Sequence, residues 1–310
     1  METKLTNDEL IEELKYRFQQ NKNAYEELGL LTKQLKEVNN KLRESEALKT
    51  HFISNITNEI INPFASILGL SKNILNIKEG NWERVKTMAK LIHSEAFYLD
   101  FQLKNIFAAA ELEAGETFPQ IAFADINHII ETVIENFVHE IEKKKLNINY
   151  TNNLNLNIFP DNNSCFPADN EKLQLILSNL ISNAIRYSDF ENTLEIKAWN
   201  NDEFMNISVK DYGIGISEEN QKIIFDRFKR VDPGINSINR GHGLGLSVTK
   251  AFIELFDGII EIDSKIQEGT KFIISLYIPD SQIEVDGFAT NGNEIFFDDE
   301  DAFFSDNDIF

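Results

Sequence analysis

The chain has 310 residues, a formal net charge of −21, 42% hydrophobic and 26% charged residues. That length holds one large domain or two modest ones, and that apolar share suffices for a packed core, which excludes global disorder. No apolar run approaches the roughly 18 residues that span a bilayer, and the acidic balance argues against nucleic-acid binding, which rests on Lys and Arg neutralising phosphates. The acidic N-terminal stretch lacks a signal-peptide core, so a cytoplasmic protein is expected. The lone cysteine, Cys165, excludes an internal disulfide and a cysteine-based metal site.

Residues 3–58 read as one long helix with no Pro and a single glycine, Gly29. Leu28, Leu31, Leu35, Val38 and Leu42 recur at the alternating three- and four-residue steps of a coiled coil. A helical apolar face continues through Phe52, Ile56, Ile60, Phe64, Ile67 and Ile74, with Pro63 expected to interrupt it and bend the axis. Lys78-Glu79-Gly80-Asn81 reads as a turn. A second helix follows from about Trp82 to Glu113, stopped by Gly115. Two long helices and a tight turn make a helical hairpin, whose uncovered apolar stripe calls for a dimeric four-helix bundle.

Beyond Gly115 the composition changes. Asp125 is placed to cap a helix over 126–144, and LNINYT alternates like a strand. Residues 152–167 are Asn-rich and irregular. A helix over 171–187, strands over 193–199 and 204–210, a helix near 218–229, a loop to 242, a helix over 244–257 and strands over 258–263 and 270–278 follow. This interleaving without regular βαβ alternation predicts an α/β sandwich on a mixed sheet. The division expected is a coiled coil over 1–47, a helical hairpin over 48–116, an α/β domain over 120–280 and a tail over 281–310. The tail holds nine acidic residues, no Lys or Arg, and Phe296, Phe297, Phe303, Phe304 and Phe310. One-sign charge disfavours compaction, so the tail is either a disordered partner-binding segment or a solubilising extension.

Three elements point to nucleotide chemistry. A helical segment carries Asn179, Asn183, Arg186 and Tyr187. A strand ends in Asp211-Tyr212-Gly213-Ile214-Gly215. Gly241-His242-Gly243-Leu244-Gly245 opens a helix. A strand-end carboxylate can accept from an exocyclic amine such as that of adenine, and the following glycines let a flat ring approach the backbone. Glycines at a helix N-terminus expose N–H groups to phosphate. A carboxamide oxygen suits Mg²⁺, and Arg186 offers a charge to phosphate. No Gly-Lys-Ser/Thr follows the third element, so it is not a Walker loop, and Leu246 breaks the dinucleotide fingerprint.

In this order the elements resemble the ATP-binding domain of the GHKL superfamily, and residues from about 48 to 280 resemble a sensor histidine kinase of two-component signalling. The Asn179–Tyr187 segment resembles the N box, with Asn183 at the Mg²⁺-ligand position. Asp211, Gly213 and Gly215 resemble the G1 box, with Asp211 at the adenine-recognition position. Phe225-Asp226-Arg227-Phe228 resembles the F box beside an ATP lid, for which the turn formers Asp232-Pro233-Gly234 are suited. Gly241, Gly243 and Gly245 resemble the G2 box, and Glu268-Gly269-Thr270 a late Gly-Thr turn. The resemblance implies ATP and Mg²⁺ as cofactors, and adds Phe228, Arg240, Leu244 and Thr270 to the ATP-binding set. It implies an α+β multidomain chain of coiled coil, dimerising hairpin and Bergerat-type sandwich. A homodimer or a heterodimer with another histidine kinase is implied, as is a response-regulator receiver domain as partner.

One departure bears on mechanism. Phe52 to Pro63 aligns with the H box without a gap, with Glu59 and Pro63 in place, but the position of the phospho-accepting His holds Asn58. Imidazole keeps a free lone pair near neutral pH, whereas a carboxamide nitrogen delocalises its own into the carbonyl. Asn58 therefore cannot take a phosphoryl group in the usual way, and Glu59, which in the family orients or activates the His, has nothing to activate. His51 lies seven residues earlier, about 10 Å along the axis at roughly 1.5 Å per residue; neither it nor His93 is followed by an acid. His128 and His139 fall in the α/β region and His242 in the third glycine element. Glu59 and Asn62 also match a motif associated in the family with dephosphorylation of the response regulator, although Asn62 can equally serve backbone groups beside Pro63. Three readings stay open: a histidine-kinase-like protein that binds Mg-ATP without autophosphorylating at Asn58, a kinase using another acceptor, and a coiled-coil scaffold with a vestigial ATP domain.

Overall fold

The computed structural model describes residues 7–77, 81–155, 165–201, 203–227 and 243–278. The chain divides into two units, residues 1–56 and 57–310. The expected turn at Lys78-Glu79-Gly80-Asn81 falls largely outside the described residues, and the acidic tail wholly so.

The long helix is α1 (Asn7–Leu75). In the first unit it is a single helix studded with charge, with pairs such as Arg17 Nε to Glu13 Oε1 at 2.7 Å. Leu28, Leu31, Leu35 and Val38 are all exposed along it. In the second unit α1 runs through Pro63 rather than stopping there, and Pro63 itself is buried. Asn58 and Glu59 lie on this helix and are described at the level of its backbone; Asn62 is exposed.

Helix α2 (Trp82–Ala114) ends where the sequence places its stop. Gly115 takes a left-handed φ of 69° and its N–H bonds Glu111 O, the geometry glycine favours after a helix. Asp125 caps the next helix as expected, accepting from His128 N at 3.1 Å. The single helix expected over 126–144 is instead two, α3 (Ile126–Asn136) and α4 (Val138–Lys144). Phe137 between them leaves helical geometry at φ −101° and ψ 12° and is buried. Its ring meets Phe97 and Phe101 of α2 edge-on, with centroids 5.3 and 5.8 Å away. Burying a large aromatic in this way outweighs the loss of one helical residue.

The remaining strands and helices are β1 (Ala122–Ala124), β2 (Asn147–Asn153), β3 (Phe166–Ala168), α5 (Asn170–Tyr187), β4 (Thr193–Asn200), β5 (Phe204–Lys210), α6 (Glu218–Gln221), α7 (Gly245–Leu255), β6 (Ile259–Lys265) and β7 (Gly269–Tyr277). The main sheet has the order β2-β4-β5-β7-β6; β2 and β4 are parallel and the other pairs antiparallel. This is the mixed sheet expected. Leu194, Ile196 and Ala198 of β4 and Phe272, Ile274 and Leu276 of β7 are buried at alternate positions, the period of a strand with one face on the core, whereas β5 is buried on both faces, Asn206 and Ser208 included. Helices α3, α5 and α7 pack together, with α5 against β5 and α7 against β6. The small β1–β3 ladder was not foreseen; three residues carry too little period to read. The helix expected over 218–229 is only the four-residue α6, capped by Ser217. After it the chain turns to bury Ile224 and to set Phe225 against Phe272, with centroids 6.4 Å apart.

Candidate functional site

Asp211 follows the last residue of β5 and is 4% exposed. Its Oδ1 accepts from the N–H of Gly213 at 2.9 Å and of Thr270 at 3.2 Å. Among the described residues no partner is found for Oδ2. Burial pushes the carboxyl pKa above its ordinary value, only partly opposed by the two N–H donors. The group is thus an acceptor held in place by backbone, with one oxygen unspent.

The glycines after it are required by close approaches. A Cβ on Gly213 would lie 1.9 Å from Tyr187 O, and one on Gly215 would lie 1.8 Å from Lys265 O at a φ of +67°. No side chain can occupy either point without moving backbone. Gly213 therefore serves to seat the loop on the C-terminal end of α5. Lys144 completes that seat, donating through Nζ to Arg186 O and Ser188 O at 2.7 Å each. Burial, the largest influence, lowers the Lys144 pKa; Asp189 acts in the opposite sense. Lys144 carries no motif signature and was not singled out in the sequence. Its signal lies only in a Lys at the last turn of α4, a position suited to bonding free carbonyls.

A cleft of about 1070 Å³, part of it open to solvent, joins these elements. Asn179, Asn183, Arg186 and Tyr187 line it from α5, Asp211 and Gly215 from the loop after β5, Gly243 and Gly245 from the start of α7, and Thr270 from β7. Nine of the residues expected at an ATP site are thereby brought to one cavity. Gly213 and Leu244 are buried behind it and do not line it; Leu244 is a core residue whose carbonyl accepts from Val248 N at 2.8 Å. Phe228, Arg240 and Gly241 fall outside the described residues, as does the expected lid. The walls that sequence reading missed are apolar, Ile214, Ile216, Ile224 and Phe272, together with Phe101, Gln102 and Asn105 of α2.

The donor set fits an adenine nucleotide. A fixed carboxylate with a free oxygen faces apolar walls that suit a flat base. The first turn of α7 brings N–H groups that have no partner within the helix to the same cavity. Asn183 is half-buried at the cavity and supplies a hard oxygen. Among the described residues no group of three or more His, Cys, Asp or Glu could hold a metal ion. A Mg²⁺ ion here would rely on one carboxamide, phosphate oxygens and water, a set that the ion accepts.

Comparison with known proteins agrees with this geometry. Residues 168–281 match the family described as histidine kinase-, DNA gyrase B-, and HSP90-like ATPase. The chain is 29% identical over 259 residues to the circadian input-output histidine kinase CikA of Synechocystis sp., covering 82% of this chain and 34% of that protein. It is 30% identical over 232 residues to the sensor protein RprX of Bacteroides fragilis, covering 74% of this chain and 43% of that protein. Among solved structures, full-length ShkA in complex with AMPPNP aligns with a TM-score of 0.50 at 21% identity, over 75% of this chain and 46% of that one. The α/β region is an ATPase domain of the GHKL class. Over most of its length the chain is similar to proteins named as sensor and histidine kinases, and it spans under half the length of these curated relatives. Among the described residues no helix is long and apolar enough to cross a membrane.

Proposed function

We propose that the chain binds Mg-ATP in this cleft and acts in two-component signalling as a histidine-kinase-like protein that does not phosphorylate itself at the usual position. The observation that carries the reading is the convergence of Asp211, Asn183 and the α7 N-terminus on one cavity, beside a sequence resemblance that puts Asn58 of α1 at the acceptor position. In this reading Asp211 Oδ2 accepts from the adenine amine, Asn183 holds Mg²⁺, and Gly243, Gly245 and Arg186 face the phosphates. ATP supplies a transferable phosphoryl group. The chain's own part is to bind and orient it, and a carboxamide at position 58 offers no nucleophile to receive it. The protein then works as a regulator, as the ATP-binding half of a heterodimer with a competent kinase, or on a phosphorylated receiver domain. Exposed Asn62 favours the last role, since its carboxamide is free to meet a partner.

The test is incubation with γ-labelled Mg-ATP. Wild type is expected to stay unlabelled and Asn58→His to take up acid-labile label. Labelling of wild type, lost in His51→Ala or His93→Ala, would replace this reading with that of a kinase using another acceptor. Silence of both proteins together with no nucleotide affinity in calorimetry would leave only the scaffold.

Pairing of two chains is part of the proposal. Leu28, Leu31, Leu35 and Val38 form an exposed stripe at coiled-coil spacing, and Ile61, Phe64 and Leu68 are exposed further along α1. Such stripes are buried when helices pair. Sedimentation is expected to give twice the 35.6 kDa chain mass; a single-chain mass at micromolar concentration would contradict pairing.

A further inference from the structure

Helix α2 reaches the cleft from outside the segment that matches the ATPase family. It is seated firmly within the second unit. Phe97 and Phe101 stack with centroids 6.4 Å apart, and both pack edge-on against Phe137. Ser94 Oγ donates to Glu140 Oε1 at 3.2 Å. Phe101 and Ala108 are buried along the same face. Into this apolar face the sequence places two carboxamides, Gln102 and Asn105, which are 4% and 2% exposed. Burying a carboxamide is unfavourable unless its donors and acceptors are used.

Asn105 is engaged at both ends of its carboxamide. Its Nδ2 donates to Phe101 O at 3.0 Å, and its Oδ1 accepts from Asn179 Nδ2 at 2.8 Å. Asn179 in turn stands against the first residue of α7: a Cβ on Gly245 would lie 2.7 Å from Asn179 Oδ1. A continuous line of contact therefore runs from α2 through Asn179 to the helix terminus that faces phosphate. Gln102 sits one turn before Asn105 and lines the cleft. Among the described residues no hydrogen bond of its side chain is found. A buried amide at a ligand cavity, with its bonding capacity unspent, is placed to meet the ligand.

We propose that the nucleotide site is composite: α2 supplies Gln102 as a direct contact to the phosphate end of the bound nucleotide, and Asn105 as a positioning residue that holds Asn179 against Gly245. The proposal rests on the Mg-ATP reading above. It adds that nucleotide occupancy and the seating of α2 are coupled. Coupling is reciprocal: whatever loosens α2 weakens the nucleotide by the factor with which the nucleotide steadies α2. A signal arriving along the helices thus has a physical route to the phosphates, and the nucleotide state has a route back.

The test uses the full chain, with Mg-ATP and adenosine as separate probes in calorimetry. Gln102→Met removes none of the bonds seen in the structure and keeps the side-chain volume. It is expected to weaken Mg-ATP about 5- to 20-fold and to leave adenosine unchanged, the loss of one charge-assisted contact. Asn105→Leu is expected to weaken Mg-ATP by a similar factor. In wild type, Mg-ATP is expected to slow amide hydrogen exchange over residues 94–108 of α2, and in Asn105→Leu that slowing is lost. Unchanged Mg-ATP affinity in Gln102→Met, or equal loss of adenosine and Mg-ATP, would overturn the composite site. Exchange in α2 indifferent to nucleotide would overturn the coupling. Should Asn105→Leu fail to fold, Gln102→Met and the wild-type exchange data decide. Wild type that binds neither probe refutes the ATP reading itself, a result distinct from these.

Discussion

Gly215→Ala is expected to abolish nucleotide binding and to destabilise the second unit by about 3 kcal/mol or more, the scale of a substitution that forces backbone apart at a strained φ. The added Cβ would lie 1.8 Å from Lys265 O, at a φ of +67°. Relief requires the loop after β5 to separate from the turn between β6 and β7. Gly213→Ala faces the same difficulty 1.9 Å from Tyr187 O. Thermal unfolding and nucleotide calorimetry on the same protein read both effects. Gly29→Ala is the control, because nothing lies within 4 Å of its added Cβ in α1; there the change stabilises a helix interior by about 0.5–1 kcal/mol. A Gly215→Ala protein that melts with wild type and binds nucleotide would show that the loop is not fixed by that contact.

Asp211→Asn separates recognition from stability and moves them in opposite directions. The buried carboxyl has a raised pKa, with burial as the largest cause. A carboxyl whose folded pKa exceeds its unfolded value stabilises the fold fully below the unfolded pKa, near 3.9 for Asp. That contribution is lost as pH rises through the folded pKa. At neutral pH the burial of Asp211 is therefore a cost to the empty protein, and the neutral amide removes it. The expected result is an Asp211→Asn protein that melts higher than wild type at pH 7, with the difference shrinking toward pH 4. Adenine nucleotide affinity is expected to fall about 10- to 100-fold, the loss of a charge-assisted acceptor for an exocyclic amine. Lower melting at pH 7 would mean that the two N–H bonds to Oδ1 outweigh desolvation. Unchanged affinity would remove Asp211 from base recognition.

Much of the fold was legible because period and punctuation agree. Asp125 caps α3, Gly115 stops α2, and alternation marks β4 and β7, while the cap of α5, Asp169, was not read in advance. Where a single aromatic side chain decides geometry, the sequence is silent: Phe137 splits α3 from α4 because its ring fits between Phe97 and Phe101. The same holds for α6, where Ile224 and Phe225 turn inward and end the helix early. In the site, residues within motifs were readable and residues brought by packing were not. Gly213 belongs to a motif but acts by its fit against Tyr187 O, and Leu244 belongs to one but sits in the core. Lys144, Gln102 and Asn105 belong to none, and only the tertiary structure carries them to α5 and the cleft.

The stitching of β5 to the end of the domain has a consequence for how the chain acquires its ligand. Asp211 and Thr270 exchange backbone bonds of 2.8 and 3.2 Å across 59 residues. Gln267 N bonds Ile214 O at 2.8 Å, and Ile216 N bonds Ser264 Oγ at 2.9 Å. The loop after β5 is therefore shaped by a hairpin that the ribosome makes well after it. Long-range pairing of this kind is slow, because the loop entropy is spent before any contact returns it. A nascent chain already carries α2, α5 and β5 in full before the residues that fix this loop exist. Until the β6–β7 hairpin has been made, the loop that carries Asp211 lacks the backbone partners that set its shape.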